Sequence, residues 1–118
     1  MKTLSLALLA LSIGLPASAA DIVGAWQIHG SVFFNAVDTL CHFKTDGAGP
    51  TPQLQATCEN DGKPGLFTPA TLTGGKVAWS WDSGPAVLVF QATLTSNATM
   101  KGEIKVRGFT GSFTATKQ

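Results

Sequence analysis

Charge and tyrosine are what this sequence has least of. Asp, Glu, Lys and Arg together make up 13% of its 118 residues, the formal net charge is +1, and tyrosine does not occur. The charges form no basic run that would indicate nucleic acid or anionic lipid, and no acidic run that would indicate a store of cations. We therefore expect no nucleic acid among the partners of this protein.

Motifs of catalysis are also lacking. The sequence has no serine in a nucleophile-elbow context, no HExxH pair and no glycine-rich phosphate loop. Its two histidines, His29 and His42, are isolated, and Asp38 and Glu59 nearby give a loose His–carboxylate cluster. A solitary His on a β-surface is usually solvated or locally hydrogen-bonded. The sequence thus predicts no enzyme, no catalytic residue, no metal and no cofactor.

Long apolar runs are confined to the N-terminus. Met1-Lys2 supplies a positive start, residues 4–15 carry no charge, and residues 17–20 read Ala-Ser-Ala-Ala, the small residues that a signal peptidase accepts. This pattern predicts a cleaved signal peptide at 1–20 and a single domain at 21–118. No later run is long enough for a membrane-spanning helix. We expect a periplasmic or secreted bacterial protein.

Cysteine is scarce too, with Cys41 and Cys58 as the two examples. In an oxidising compartment an isolated pair in a small domain predicts a disulfide, and two free thiols are the alternative. Two sulfurs without a CxxC motif or a neighbouring His pair would leave zinc under-coordinated. The pair therefore predicts a structural role.

Glycine, threonine, valine and phenylalanine are abundant, and they alternate as β-strands require. Residues 46–50 are typical of a turn. On either side of this turn we expect pairing between residues whose numbers sum to 99. Cys41 then meets Cys58, and Phe43 meets Ala56. One register joins both the cysteines and the apolar faces, and a slip of one residue would destroy both.

Two further hairpins are indicated by two-residue turns. Gly74-Gly75 predicts the pairs Leu72–Val77, Ala70–Trp79 and Thr68–Trp81. Arg107-Gly108 predicts the pairs Val106–Phe109, Ile104–Gly111 and Gly102–Phe113. About eight short strands result, which predicts an all-β, antiparallel up-and-down barrel because closure removes exposed edges. A β-sandwich of two sheets is the alternative.

The two ends of this strand pattern resemble calycin-type barrels, the lipocalins and avidins. Gly24-Ala25-Trp26 opens the first strand, and the chain ends in Phe113-Thr114-Ala115-Thr116-Lys117. This frame is similar to small exported proteobacterial proteins, a group that implies an exported barrel but no particular activity. The resemblance implies that Trp26, after Gly24, packs at the barrel floor beneath a basic side chain, either Lys117 or Arg107.

The avidin comparison extends to Val77-Ala78-Trp79, which resembles the avidin strand that supplies a ligand-stacking tryptophan. Avidins hold the biotin ureido oxygen with Tyr, Ser and Asn. This chain has no tyrosine, and Ile28 stands where the Asn should be. A buried urea without partners is costly, so the resemblance does not extend to biotin.

Four aromatic residues are the candidate ligand site. Trp79 and Trp81 share one strand face and predict an aromatic wall, with filling of the core as the alternative. Phe33 and Phe34 are adjacent, so they cannot both point inward from a strand. We expect one of them to be exposed as a ligand lid or as a contact for another protein.

The expected function is a non-enzymatic, exported binding protein for a small, mostly apolar ligand. One alternative is a structural or interaction module that contacts another envelope or extracellular protein. The other is a periplasmic protease inhibitor, because the chain resembles inhibitors of bacterial metalloproteases in size, single disulfide and Gly-x-Trp opening. Those inhibitors insert an N-terminal arm, and at most five residues of a cleaved chain precede Ala25 here.

Overall fold

The computed structural model describes residues 18–47 and 53–118. Most of the predicted signal peptide, residues 1–17, and part of the predicted turn at 46–50 lie outside this described portion. The elements in chain order are α1 (Ala19–Ile22), β1 (Gly24–Val32), β2 (Asn35–Asp46), β3 (Gln53–Asn60), β4 (Lys63–Pro64), β5 (Thr68–Pro69), β6 (Thr71–Thr73), β7 (Lys76–Asp82), β8 (Val87–Ser96), β9 (Thr99–Val106) and β10 (Phe109–Lys117). None of the described helices is both long and apolar enough to span a bilayer.

The strands form one antiparallel sheet in the order β4-β3-β2-β1-β10-β9-β8-β7-β6. The first and last long strands are neighbours, with Trp26 opposite Lys117 and Ile28 opposite Ala115. All other neighbours in this order are also neighbours along the chain. The prediction of an all-β, antiparallel up-and-down architecture is confirmed.

The sheet bends almost into a ring but is not closed, because the segment 68–73 divides its pairing between two strands. Its first part, β5, pairs with β3, where Thr68 lies opposite Ala56. Its second part, β6, pairs with β7, where Leu72 lies opposite Val77. The Thr68 hydroxyl also donates to the carbonyl of Ser80 on β7 at 3.2 Å. The two edges of the sheet are therefore held together by short ladders and one side chain.

This division makes two predicted pairs wrong, Ala70–Trp79 and Thr68–Trp81. The β6–β7 ladder ends at Thr71 opposite Ala78. The amide of Ala70 instead donates to the carbonyl of Leu54 on β3 at 2.9 Å. Counting outward from a hairpin turn predicts residue pairs only as far as the two strands remain neighbours. Here the first part of the segment 68–73 pairs with β3 and not with β7.

The register of the other predicted pairs is confirmed. Cys41 lies opposite Cys58 and Phe43 opposite Ala56 on β2 and β3. The two cysteines form a disulfide and are fully buried. This cross-link fastens neighbouring strands from inside the barrel.

Two glycines of the last hairpin allow the strands to approach closely. A Cβ at Gly102 would lie 1.9 Å from the carbonyl oxygen of Gln91 on β8. A Cβ at Gly111 would lie 1.9 Å from the carbonyl oxygen of Ser31 on β1. Their predicted partners, Phe113 for Gly102 and Ile104 for Gly111, are confirmed. Glycine at these positions lets the sheet coil tightly enough to enclose a core.

The strands alternate in direction, so their turns collect at two ends of the barrel. We call one end the mouth, which carries the two-residue turns at 33–34, 61–62 and 107–108 and the turn at 83–86. The other end, the floor, carries α1 and the turns at 74–75 and 97–98. The apolar core occupies the space between them.

Candidate functional site

The floor is sealed by the short helix α1. The indole Nε1 of Trp26 donates to the carbonyl oxygen of Ile22 at 2.9 Å, and both residues are fully buried. The Lys117 Nζ donates to the carbonyl oxygen of Asp21 at 3.0 Å. Both bonds are accepted by Asp21 and Ile22, which the predicted cleavage would leave in the mature chain, and the buried Ile22 covers the floor of the barrel.

Of the two basic residues proposed for the floor, the structure places Lys117 there and Arg107 at the mouth. Lys117 is the ladder partner of Trp26. A Cβ at Gly24 would lie 3.1 Å from Lys117 Cε, and Gly24 has a φ of +134°. Glycine at this position therefore leaves room for the lysine stem and adopts a backbone conformation that other residues avoid.

The barrel interior is filled around Trp79. Its ring stacks on Phe90 and meets the edges of Phe43 and Phe113, with centroids 4.9 and 5.9 Å away. Trp79 is 3% exposed, and within the described portion of the chain its Nε1 has no hydrogen-bond partner. Its contacts are with core side chains, so the part of Trp79 in ligand binding stays a prediction.

Trp81 lies nearer the mouth than Trp79. It is buried, and its ladder partner is Leu88 on β8. Leu88 also lines a cleft at the mouth. Trp81 is absent from the described lining of that cleft, but together with Leu88 it lines a neighbouring, smaller one of about 330 Å³.

The mouth contains an open cleft of about 640 Å³. Its apolar lining comes from Val32, Phe33, Val37, Leu88, Val106 and Phe109. The rings of Phe33 and Phe109 stack, with centroids 4.4 Å apart and ring planes inclined by 28°. These two residues belong to different hairpins, and together they form an aromatic wall at the entrance.

The β1–β2 turn presents both phenylalanines by way of an unusual backbone. Phe33 and Phe34 have φ angles of +47° and +66°, in the left-handed region that two-residue hairpin turns usually fill with Asn or Gly. The Asn35 Nδ2 donates to the carbonyl oxygen of Phe33 at 3.2 Å and supports the turn. Phe33 is 61% exposed and Phe34 is 98% exposed. The sequence predicted one exposed aromatic here, and in the structure both are exposed because both lie in the turn.

Among the described residues that line this cleft, Arg107 is the charged one. It occupies the first position of the β9–β10 turn with a φ of +50°. Its guanidinium donates to the carbonyl oxygen of Pro85. The bond holds the β9–β10 turn beside the 83–86 turn and keeps a cationic group at the rim of the apolar cleft.

The predicted His–carboxylate cluster is resolved into two separate pairs on the outer surface. His29 Nδ1 lies 2.5 Å from Asp38 Oδ1, and both side chains are exposed. His42 Nε2 lies 2.5 Å from Glu59 Oε2, and both are partly buried. Among the described residues no group of three or more His, Cys, Asp or Glu side chains could hold a metal ion.

Comparison with known proteins gives the class of fold. No protein-family model and no curated protein sequence matches this chain. A redesigned β-barrel superposes with a TM-score of 0.63 at 20% identity, over 89% of this chain and 98% of that one. A fatty-acid-binding protein of Echinococcus granulosus superposes with a TM-score of 0.56 at 13% identity, over 83% of this chain and 98% of its own. The chain thus shares a β-barrel fold with these two proteins.

Sequence reasoning found Phe33 and Phe34 but missed Leu88, Phe109 and the rim position of Arg107. Part of a signal was present in the sequence, since Arg107-Gly108 is recognisable as a two-residue turn and an up-and-down order places alternate turns at the same end of a barrel. Phe33-Phe34 contains no residue typical of turns, and only the structure shows it to be one. What joins the two turns is the pairing of β1 with β10, which no local pattern predicts.

Proposed function

We propose that this protein is an exported, non-enzymatic binding protein that holds a small, mostly apolar ligand in the mouth cleft. One observation carries the proposal: an apolar cleft with a stacked Phe33–Phe109 wall opens at the end opposite the sealed floor. Its volume of about 640 Å³ falls within the range of roughly 300–1,000 Å³ that is typical of small-molecule sites.

The filled interior limits the depth of this site. Trp79, Phe90 and Phe113 occupy the space below the cleft. A ligand therefore rests on Leu88, with Trp81 behind it, and Phe33 and Phe34 flank the entrance. Of the four predicted site residues, Trp79 is the one that would respond to the ligand only through its neighbours.

Arg107 suits a ligand with one anionic or carbonyl group at an otherwise apolar body. The guanidinium has more donor groups than the one engaged by Pro85, so it can donate to a second acceptor. The comparison of decanoate with decanol, which differ in the head group, tests this role. We expect decanoate to bind more tightly, and the preference to disappear in Arg107→Gln protein.

Tryptophan emission during titration with decanoate or naphthalene tests the binding site itself. We expect the emission to shift as ligand reaches Leu88, which is the ladder partner of Trp81. Leu88→Ala and Phe109→Ala should each weaken binding by about tenfold because each removes apolar contact area. Leu66→Ala is the matched control, since Leu66 is 89% exposed and lies outside the cleft. Equal affinity in all three variants would exclude the mouth cleft.

Export is part of the proposal. It is supported by the signal-peptide pattern at 1–20 and by the disulfide between Cys41 and Cys58, since disulfides persist in oxidising compartments. The mass of the protein recovered from periplasm or medium tests it. A chain that begins at Ala20 or Asp21 is expected, and an uncut chain in the cytoplasm would contradict export.

The two alternative functions differ in their support. An inhibitor needs a free N-terminal arm, whereas Ile22 is fully buried and α1 is bonded to Trp26 and Lys117, so the inhibitor alternative gains no support. The interaction alternative is favoured by Phe34, which is 98% exposed. An exposed aromatic of this kind is typical of a contact site.

A further inference from the structure

Three phenylalanines at the mouth form a projecting apolar surface, which we call the aromatic tip. It consists of Phe33, Phe34 and Phe109, which are 61%, 98% and 47% exposed. Phe33 lies at the centre, with its ring centroid 4.4 Å from Phe109 and 5.6 Å from Phe34. The tip belongs to two neighbouring hairpin turns and borders the entrance of the cleft.

The backbone that carries these side chains is in a strained conformation. Phe33 and Phe34 both have positive φ angles, a conformation that is unfavourable for a bulky side chain and costs nothing for glycine. The turn would therefore form more readily with small residues. Local strain that the surrounding structure tolerates is concentrated at functional sites, so these outliers point to a use for the exposed rings.

The tip by itself is smaller than the surface that a stable complex with another folded protein covers. The exposed parts of the three rings amount to about two whole side chains, or roughly 400 Å². A specific protein–protein interface covers about 800 Å² on each partner and depends on complementary shape. A fluid apolar phase needs no complementary shape, and it accepts exposed rings of this kind.

We propose that the aromatic tip docks this protein onto the surface of a lipid bilayer. The tip itself carries no charged residue, and the guanidinium of Arg107, at the rim of the cleft beside it, donates to the carbonyl of Pro85 and keeps further donors for a ligand in the cleft. Because a single cation beside three exposed rings does not require anionic lipid, docking relies on insertion of the rings. An apolar ligand partitions into lipid, so a docked tip would hold the entrance of the mouth cleft against the bilayer in which the ligand is dissolved. This part of the inference rests on the proposed function.

Co-sedimentation with vesicles of pure phosphatidylcholine tests the docking. We expect the purified, disulfide-bonded protein to bind them and Phe34→Gly to weaken binding by about tenfold or more, as loss of one inserted phenylalanine implies. Phe34→Gly suits the positive φ of this position, so the variant folds. Leu66→Gly is the matched control, because it removes an equally exposed apolar side chain outside the tip. Its binding should equal that of the unchanged protein.

A second measurement uses an added tryptophan. In Phe34→Trp protein the new indole is exposed, and its emission should shift to the blue with phosphatidylcholine vesicles and be quenched by brominated acyl chains. A Leu66→Trp variant should show neither change. High salt should leave the affinity unchanged, since no charged contact is involved.

Several results would overturn the docking proposal. They are failure of the unchanged protein to bind vesicles, equal binding by Phe34→Gly, loss of binding in high salt, or a dimer that Phe34→Gly dissociates in sedimentation. The dimer would make a second copy the occupant of the tip. Titration of the same proteins with decanoate distinguishes failure of bilayer docking from failure of the proposed ligand binding. The cleft can bind decanoate in the absence of vesicles, and the aromatic tip can bind vesicles in the absence of decanoate.

Discussion

Trp79 and Phe90 lie face to face on neighbouring strands, with ring centroids 4.7 Å apart and ring planes inclined by 8°. They are also ladder partners in the β7–β8 pair. Phe113 closes against both rings edge-on. This aromatic packing fills the middle of the barrel, and the open apolar cleft lies above it at the mouth.

Replacement of Trp79 should affect stability through packing alone. Trp79→Ala should lower the free energy of unfolding by about 3–5 kcal/mol, because it leaves a cavity among Phe43, Phe90 and Phe113. Trp79→Phe should cost less, since within the described residues the Trp79 Nε1 has no hydrogen-bond partner to lose. Urea denaturation measures both.

Trp26→Phe is the control for this interpretation. It removes the bond from Trp26 Nε1 to the Ile22 carbonyl and leaves a buried acceptor unpaired. We expect Trp26→Phe to lower the free energy of unfolding by about 1 kcal/mol or more beyond the loss caused by Trp79→Phe. An equal or smaller loss for Trp26→Phe would mean that the floor bond does not stabilise the protein.

Reduction of the disulfide should destabilise the barrel. Cys41 and Cys58 are 17 residues apart, and a closed loop of this length stabilises a fold by about 3 kcal/mol. The melting temperature should therefore fall by roughly 10–20 °C in a domain of this size. Calorimetry with and without reductant measures the change. Cys41→Ala/Cys58→Ala protein should not respond to reductant, and a response there would show that the effect arises elsewhere.

Gly102→Ala should disrupt the β8–β9 pair. Its Cβ would fall 1.9 Å from the Gln91 carbonyl oxygen, a backbone atom that cannot move aside alone. We expect a loss of about 3 kcal/mol or more, or failure to fold. Gly47→Ala is the comparison, since a Cβ there meets no atom of the described residues within 4 Å, and its effect should stay within about 0.5 kcal/mol. Similar stabilities for the two variants by urea denaturation would contradict the close approach.

Phe34→Gly should raise stability while it removes the outermost part of the aromatic tip. Relief of the left-handed conformation is worth about 1 kcal/mol, and the exposed ring of Phe34 contributes little packing. Phe33→Gly should gain less, because it also loses the stacking on Phe109. Thermal unfolding of both proteins checks the order. A lower melting temperature for Phe34→Gly would mean that this ring supports the fold.

The strand pattern was predictable wherever two consecutive strands pair with each other. Cys41 opposite Cys58 and Phe113 opposite Gly102 follow from turn position and parity, since side chains alternate strictly along a strand. The prediction failed at Ala70, where the chain leaves one neighbour for another. The alternation of side chains along a hairpin does not show which other strand will pair with its outer edge.

The candidate site was predictable in part for the same reason. Adjacency predicted that one of Phe33 and Phe34 is exposed, because neighbouring residues on a strand face opposite ways. Both are exposed, because they form the turn between β1 and β2 and do not lie on a strand. The depth of Trp79 did not follow, since a row of inward aromatics can line a cavity or fill it. Which of these occurs depends on the volume enclosed by all strands together, and here Phe90 and Phe113 fill that volume.

The sequence by itself determined the alternation of the strands, the turns at Gly74-Gly75 and Arg107-Gly108, and the register that joins Cys41 to Cys58, because these are set by contacts between near neighbours in the chain. The tertiary structure alone decided that β1 meets β10 and that Phe33 therefore stacks on Phe109. It also decided that α1 seals the floor and leaves the mouth open. These outcomes depend on how the whole sheet curls, which follows from the packing of the complete core and from no single segment.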